Sequence, residues 1–206
     1  MDFGGSRVAP VHFAFPISTY IPLGVAFFGL GTGYLIFGPQ ELFGWPKPSE
    51  SVNWTNGWWG IWMPGFCQIV NGTFILIGLS WFHVFHGAPL YAAGVITTVF
   101  GIHWLALGAI RIRGGDLRPN GFMCIAFFLL CILGFIVFTT VGDWPVAVLF
   151  AGLIGVYFTE FFASFNLFMP LSLKGLGFFH TITGAWLMYL TYAIVLNFAI
   201  GAHLPL

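Results

Sequence analysis

Six long apolar stretches, separated by short connections, constrain this chain more than any other feature of its sequence. They run over Ile17–Phe37, Trp58–Val84, Pro89–Ile110, Asn120–Thr140, Asp143–Ala163 and Gly175–Asn197. A transmembrane helix needs about 20 predominantly apolar residues, and a backbone surrounded by lipid must satisfy its own hydrogen bonds. The sequence therefore predicts an all-α integral membrane protein in which residues 1–206 form one domain, a bundle of six transmembrane helices.

The charge content supports a membrane location and excludes several classes of function. Only 6% of the residues are charged and the mean hydropathy is +0.95, whereas an average soluble domain has roughly 25% charged residues. The formal net charge is zero, so the chain offers no electrostatic basis for binding nucleic acid. We expect a multi-pass protein of the cell membrane that contacts lipid over most of its surface.

The sequence offers no motif for catalysis or for a metal site. Cys67, Cys124 and Cys131 lie in apolar stretches and are interpreted as small buried hydrophobic residues, not as a disulfide or metal set. The H-E-x-x-H and G-x-S-x-G motifs are absent from the sequence. The first apolar stretch is long enough to span, so we expect no cleavable signal peptide. We predict no enzyme activity, no metal and no cofactor.

The positions of the lysines and arginines predict how the bundle is oriented. Five of the six fall on one side of the predicted membrane, namely Lys47, Arg111, Arg113, Arg118 and Lys174. Only Arg7 falls on the other side. Since cytoplasmic loops carry an excess of Lys and Arg, we expect both termini outside the cytoplasm.

Polar side chains inside the spans are costly in lipid and are therefore candidates for a functional site. They are Gln68, Asn71, His83, His86, His103, Asp143, Glu160 and His180. Each also has a structural interpretation: amides hydrogen-bond to neighbouring helices, Asp143 caps a helix, and Glu160 extends to the interface. A buried histidine is a hydrogen-bonded core residue, a titratable group beside a solute path, or a haem ligand.

Glycine and proline in the first span predict its local packing. Gly29 and Gly33 share one helix face, and small residues let membrane helices approach each other closely. Pro22 cannot donate a hydrogen bond to the carbonyl of Ser18. It is either a harmless proline of the first turn or the start of a broken helix that lines a cavity.

Several short motifs occur in a fixed order along the chain. They are Pro22-Leu23-Gly24-Val25 with Phe28, Gly29 and Thr32, then Gly65–Gly72, then Thr97–Gly101 with Trp104-Leu105, and finally Gly184-Ala185, Tyr189-Leu190 and Val195–Asn197. This ordered set resembles the acetate uptake transporters, the acetate/succinate permease family. Thr19 and Tyr20 replace the family's Asn-Pro pair, and the family's termini lie in the cytoplasm, opposite to the charge distribution here.

The resemblance implies a homo-hexamer in which each protomer has its own narrow path for a very small solute. The implied solute is acetate or a similar short monocarboxylate, moved passively or with protons. The family's apolar Phe–Leu–Tyr constriction corresponds by position to Phe28, Ile154 and Phe100. The polar contacts expected beside it are Thr32, Gln68, Asn71 and His180. Such a constriction excludes hydrated ions because stripping their water is costly.

Other motifs are similar to a second family, the proton-gated urea and amide channels. They are Phe100-Gly101, Trp104-Leu105, Gly115-Asp116 and Gly142-Asp143-Trp144. That family also has six helices, its termini lie outside, and some members carry a pathway Glu where this chain has His180. The alternatives are therefore a passive urea or short-amide channel, then a haem- or quinone-binding membrane subunit, and finally a purely structural membrane protein.

Overall fold

The computed structural model describes residues 23–206, and every regular element in that range is helical. The helices are α1 (Gly24–Phe43), α2 (Glu50–Ser80), α3 (Ala88–Arg113), α4 (Arg118–Thr140), α5 (Trp144–Ser164) and α6 (Leu171–Ile200). Five of them, α2 to α6, are long and apolar enough to cross a membrane by length and composition. The predicted start of the first span and Pro22 lie outside the described residues.

Helix α2 is continuous but changes its winding in the middle. Glu50–Gly60 and Cys67–Ser80 are α-helical, and Ile61–Phe66 between them is π-helical and contains Pro64. A proline inside a helix lacks the N–H that an α-helical turn requires, and π-helical turns are one way in which a helix accommodates such a defect.

Helix α1 extends beyond the predicted end of the first span. The prediction stopped at Phe37, before Gly38 and Pro39, but the helix continues through Pro39 to Phe43. Gly44 then ends it in the left-handed conformation and donates its N–H to the Gln40 carbonyl at 2.9 Å. The extension makes Glu41 part of the bundle.

The boundaries of α2 and α6 also differ from the predictions. Helix α2 begins at Glu50, where Ser49 accepts a hydrogen bond from the Val52 N–H at 3.2 Å, and it ends at Ser80. His83 and His86 therefore lie in the following loop and not at the end of the helix. Helix α6 begins at Leu171, before the predicted Gly175. The first two turns of α2 are mainly polar, and the first turn of α6 contains Lys174, so hydropathy places both span starts too late.

Glycines bring the helices into close contact. A Cβ on Gly29 would lie 2.6 Å from the Cβ of Cys67, and one on Gly33 would lie 2.8 Å from Cγ of Pro64. The predicted packing face of α1 is therefore confirmed, and its neighbour is the middle of α2. The predicted burial of the cysteines is confirmed for Cys124 and Cys131, whereas Cys67 is only half-buried.

We expect Gly108→Ala to destabilise the α2–α3 contact. The new Cβ would lie 2.5 Å from the Gly57 carbonyl oxygen and 3.2 Å from the backbone nitrogen of Ile61, and neither backbone atom can move aside freely. Overpacking of this kind costs about 1–3 kcal/mol, which a lowered unfolding temperature of the purified protein would report. Gly60→Ala is the control, because its Cβ would meet only side-chain ring atoms at ordinary contact distances, the Trp104 ring at 3.4 Å and the Phe37 ring at 3.8 Å. Equal unfolding temperatures for the two variants would contradict this packing argument.

Candidate functional site

Two small cavities lie in succession along the bundle, and α1, α3, α4 and α5 contribute to the walls of both. We call the first the polar cavity, because Glu41, His103, Arg111, Glu160 and His180 line it. Its volume is about 90 Å³, whereas one buried water needs about 10–15 Å³ measured in the same way. It therefore has room for several waters or one very small solute.

The second cavity, which we call the apolar cavity, has a volume of about 30 Å³. Its walls are mainly leucine, isoleucine, valine, alanine and phenylalanine side chains, and Gln68 and Thr97 are its polar members. The Oε1 atom of Gln68 is buried and has no hydrogen-bond partner in the described part of the chain. This cavity therefore offers a solute mostly apolar surface and one amide group.

An apolar layer separates the two cavities. Helices α1, α3 and α5 each pass from the apolar to the polar cavity within about one turn. Leu30, Phe100 and Leu153 line the apolar cavity, and Tyr34, His103 and Val156 line the polar cavity. All three residues on the apolar side are almost fully buried, with 1–3% of their surface exposed. They lie at the end of the apolar cavity that is nearer the polar cavity.

Aromatic side chains hold Phe100 in this layer. Its ring stacks on Phe127 with centroids 5.3 Å apart and lies 5.7 Å from the ring of Tyr157. Phe127 and Tyr157 also contact each other, at 5.2 Å. The position of Phe100 is therefore fixed from two neighbouring helices.

The first polar group in the polar cavity joins α1, α3 and α6. The Glu41 carboxylate lies 2.6 Å from Nδ1 of His180 and 3.8 Å from a terminal nitrogen of Arg111. The guanidinium of Arg111 also lies over the Phe37 ring, 4.3 Å from its centroid. Both side chains of the Glu41–His180 pair are buried, and a buried charge is tolerated only where such partners compensate it.

The second polar group is a chain of hydrogen bonds across α3, α4 and α5. Asn120 donates its Nδ2–H to Glu160 at 2.7 Å, and its Oδ1 lies 3.3 Å from Nε2 of His103. Since Oδ1 can only accept, Nε2 carries the proton, and Nδ1 of His103 then accepts from the Tyr157 hydroxyl at 3.3 Å. Both ring nitrogens of His103 are thus engaged in hydrogen bonds, so neither nitrogen is available to a haem iron.

Two interpretations of acidic residues are decided by these contacts. Asp143 accepts a hydrogen bond from the Val146 N–H at 3.2 Å as the N-cap of α5, so the capping interpretation is confirmed. Glu160 does not extend to the interface, because it is 8% exposed and accepts from Asn120. Asn120 attracts it inward with a hydrogen bond that water would otherwise supply.

Two hydrogen-bond donors at the polar cavity have no acceptor. Nε1 of Trp104 and Nε of Arg111 are buried and unpaired among the residues that the structure describes, and both side chains line the cavity. An indole and a guanidinium can only donate, and an unpaired buried donor costs about 1–3 kcal/mol. The cavity therefore favours a solute that brings acceptor oxygens.

The residues expected from the sequence fall at different places in the bundle. Phe100 and Gln68 line the apolar cavity, and His180 lines the polar cavity. Thr32 is half-buried and Asn71 is buried, and neither of them is part of a cavity wall.

The other two residues expected in the constriction differ from the cavity walls by one position. Phe28 is 41% exposed, while its neighbour Phe27 is buried and lines the apolar cavity. Ile154 is half-buried outside both walls, while Leu153 is part of the apolar layer. Neighbouring residues on a helix point about 100° apart, so an offset of one residue changes the face that a side chain occupies.

Comparison with known proteins supports the fold. No protein-family model matches the chain, and no curated protein matches it. Among solved structures it is similar to the bacterial acetate channel SatP, with a TM-score of 0.73 and 18% identity over 90% of this chain and 98% of that chain. This chain has the fold of that channel. At this identity the similarity establishes a multi-pass helical membrane fold.

Proposed function

We propose that this chain is a membrane channel or transporter for very small solutes, and that its preferred solute is acetate or a similar short monocarboxylate. The observation that carries the proposal is the pair of unpaired donors, Trp104 Nε1 and Arg111 Nε, at a cavity of about 90 Å³. A carboxylate supplies two acceptor oxygens, and hydrogen bonds to a charged donor are the stronger ones. The fold shared with an acetate channel supports the same conclusion.

The apolar layer supplies the selectivity in this proposal. A solute that passes from the apolar cavity to the polar cavity must cross Leu30, Phe100 and Leu153. A hydrated inorganic ion would lose its water there without replacement, which is costly. A two-carbon acid has a methyl group that the layer accepts, and its polar end meets donors directly beyond it.

The alternative solute, urea or a short amide, is favoured by a different observation. The polar cavity contains the carboxylates of Glu41 and Glu160 beside the unpaired donors. An amide would place its carbonyl oxygen on the donors and its N–H groups on these carboxylates. We rank it second because Glu41 and Glu160 already have partners in the protein.

A homo-hexamer in the cell membrane is part of the proposal. The outward side chains of α4 are large and apolar, and Phe122, Leu129, Leu133 and Ile136 are each more than half exposed. Such a surface is suited to lipid or to a neighbouring protomer. Native mass spectrometry of the purified protein would give the oligomeric state.

Uptake into proteoliposomes tests the proposed function. Radiolabelled acetate and urea are offered side by side across about pH 5 to pH 8, with empty liposomes as the control. We expect saturable acetate uptake that exceeds urea uptake at every pH. Uptake of urea alone would establish the amide-channel alternative, and a Soret absorption band in the purified protein would establish the haem alternative.

A further inference from the structure

A groove on the outer surface of the bundle, between α4 and α5, is open toward the surrounding membrane. We call it the lateral groove; its volume is about 240 Å³ and its residues are Cys124, Ile125, Phe128, Tyr157, Phe158, Phe161 and Phe162. Cys124 and Tyr157 are buried at its floor, whereas Ile125 and Phe158 are about half exposed at its rim. The lateral groove therefore offers a ligand a concave and almost entirely apolar surface.

Contacts between aromatic rings hold the walls of the lateral groove in place. The ring of Phe162 lies 5.2 Å from the rings of both Phe158 and Phe161, measured between centroids. Phe128 on α4 contacts Phe158 on α5 at 6.3 Å and so joins the two walls. The lateral groove is thus already formed before a ligand binds.

The lining favours a flexible hydrocarbon chain over a neighbouring helix. Membrane helices approach one another through small residues, and none of the described residues that line the lateral groove is glycine or alanine. A second outward groove, between α5 and α6, does have small residues in its wall, Ala151 and Gly152. An acyl chain needs only apolar contact, and each methylene that it buries strengthens binding about fourfold.

A cation lies where the head group of such a lipid would be. Arg118 begins α4 and precedes Ile125 by seven residues, which places both on one face of the helix with a rise of about 10 Å between them. Each interfacial layer of a bilayer is roughly 5–8 Å thick, so a chain in the lateral groove would have its phosphate near the level of Arg118. The Arg118 side chain is 69% exposed and can extend toward that phosphate.

The charge at this end of the bundle is complementary to an anionic head group. Among the described residues, the exposed basic side chains here outnumber the exposed acidic ones: Lys47, Arg113, Arg118 and Lys174 against Glu50 and Asp116. Basic residues beside a membrane attract anionic lipids.

Asp116 occupies only one edge of the Arg118 guanidinium. Its carboxylate accepts from Nε at 2.9 Å and from Nη2, and these hydrogen bonds hold the pKa of Asp116 at about 2. Asp116 is therefore charged at neutral pH and competes with a phosphate. Nη1 of Arg118 has no hydrogen-bond partner in the part of the chain that the structure describes, so it can donate to a phosphate oxygen.

We propose that the lateral groove binds one acyl chain of an anionic phospholipid whose phosphate pairs with Arg118. This site does not depend on which solute the protein moves. Tyr157 connects it to the polar cavity, because its ring is the floor of the lateral groove and its hydroxyl donates to Nδ1 of His103 at 3.3 Å. A bound chain holds this ring against the bundle, and a ligand that binds only the folded state stabilises it.

Native mass spectrometry of the delipidated full-length protein tests the proposal, with phosphatidylglycerol and phosphatidylcholine of identical chains as the added lipids. We expect phosphatidylglycerol to be retained about fivefold more strongly, since one basic side chain near the bilayer surface contributes a factor of this size. It should also raise the unfolding temperature more. Equal retention of the two lipids would overturn the pairing with Arg118.

Two substitutions at the head-group end should act in opposite directions. Arg118→Gln should remove the preference for phosphatidylglycerol, and Asp116→Asn, which frees the guanidinium, should increase it. Lys47→Gln is the matched control, because Lys47 is an exposed basic residue at the same end of the bundle, and it should keep the wild-type preference. A preference that falls equally in Lys47→Gln and Arg118→Gln would indicate diffuse attraction to the surface and overturn the site.

A larger side chain tests the acyl end. Ile125→Trp should fill the lateral groove, and displacing only two methylenes corresponds to about 15-fold weaker retention. The matched control is Ile136→Trp, because Ile136 is 55% exposed on the same helix and lies outside the lateral groove; it should retain lipid like the wild type. Unfolding temperatures show that each variant is folded. Equal lipid retention by the two variants would overturn the acyl site, and so would an altered oligomeric state of Ile125→Trp without loss of lipid, since the groove would then be a contact between protomers.

Discussion

Replacing Arg111 with glutamine is expected to abolish saturable acetate uptake while the protein still assembles in the membrane. The guanidinium supplies an unpaired donor and the positive charge at the polar cavity, and a hydrogen bond to a charged group contributes about 1.5–3 kcal/mol. Its loss corresponds to roughly a 10- to 150-fold lower affinity for acetate. Concentration-dependent uptake into proteoliposomes measures this directly.

The matched control is Arg113→Gln, because Arg113 lies two residues further along α3 and is exposed. It should retain wild-type uptake. A second control addresses stability: Arg111→Gln removes the counter-charge of Glu41, which can cost about 3–5 kcal/mol, and the double variant Glu41→Gln/Arg111→Gln removes both charges. If the double variant is stable and takes up acetate like the wild type, Arg111 has no role in binding.

Shortening Phe100 is expected to widen the apolar layer and relax the size limit on the solute. Phe100 is 3% exposed and lies between the two cavities. Discrimination against one extra methylene in an apolar pocket amounts to about 10- to 200-fold, so uptake of propionate and butyrate relative to acetate should rise by about tenfold or more. Phe100→Ala creates the larger opening, and Phe100→Leu is the variant to use if alanine costs too much stability.

Phe28→Ala is the matched comparison for this test. The sequence resemblance expects Phe28 in the constriction, whereas its side chain is 41% exposed and outside both cavity walls. We expect this variant to keep the wild-type preference for acetate. A relaxed size limit in Phe28→Ala together with an unchanged one in Phe100→Leu would contradict the position that we assign to the constriction.

Much of the architecture could be predicted because lipid imposes strict rules on the backbone. The apolar stretches predicted the helices, Asp143 predicted an N-cap, and Gly29 and Gly33 predicted a close helix contact. Each of these inferences depends on local sequence and on a property of the bilayer. They did not require knowing which helix is next to which.

The side of each helix that faces the cavities could not be predicted, and the lipid environment is again the reason. A helix in water exposes polar residues on one side and buries apolar ones on the other, but a helix in lipid is apolar on both sides. Hydropathy therefore does not distinguish Phe27 from Phe28, or Leu153 from Ile154. Phe28 and Ile154 were expected in the constriction only by their position relative to the motif of the family that the sequence resembles. Only packing in three dimensions distinguishes the member of each pair that lines the cavity.

The ionic group of the polar cavity was missed because hydropathy ends a span at its first charges. Glu41 and Arg111 lie just beyond the predicted ends Phe37 and Ile110, in the last turns of α1 and α3. Arg111 was used only to orient the bundle. A useful signal would have been that both side chains can reach inward from helix ends at the same side of the membrane.

The most direct test of the account is whether acetate occupies the polar cavity beside Trp104. Solid-state NMR on protein labelled with ¹⁵N at the tryptophan indoles, with acetate labelled with ¹³C at the carboxyl carbon, measures the dipolar coupling between the two. The account predicts a coupling typical of a hydrogen-bonded pair that disappears in Trp104→Phe. Bound acetate without such a coupling, or with a coupling that persists in Trp104→Phe, would contradict it.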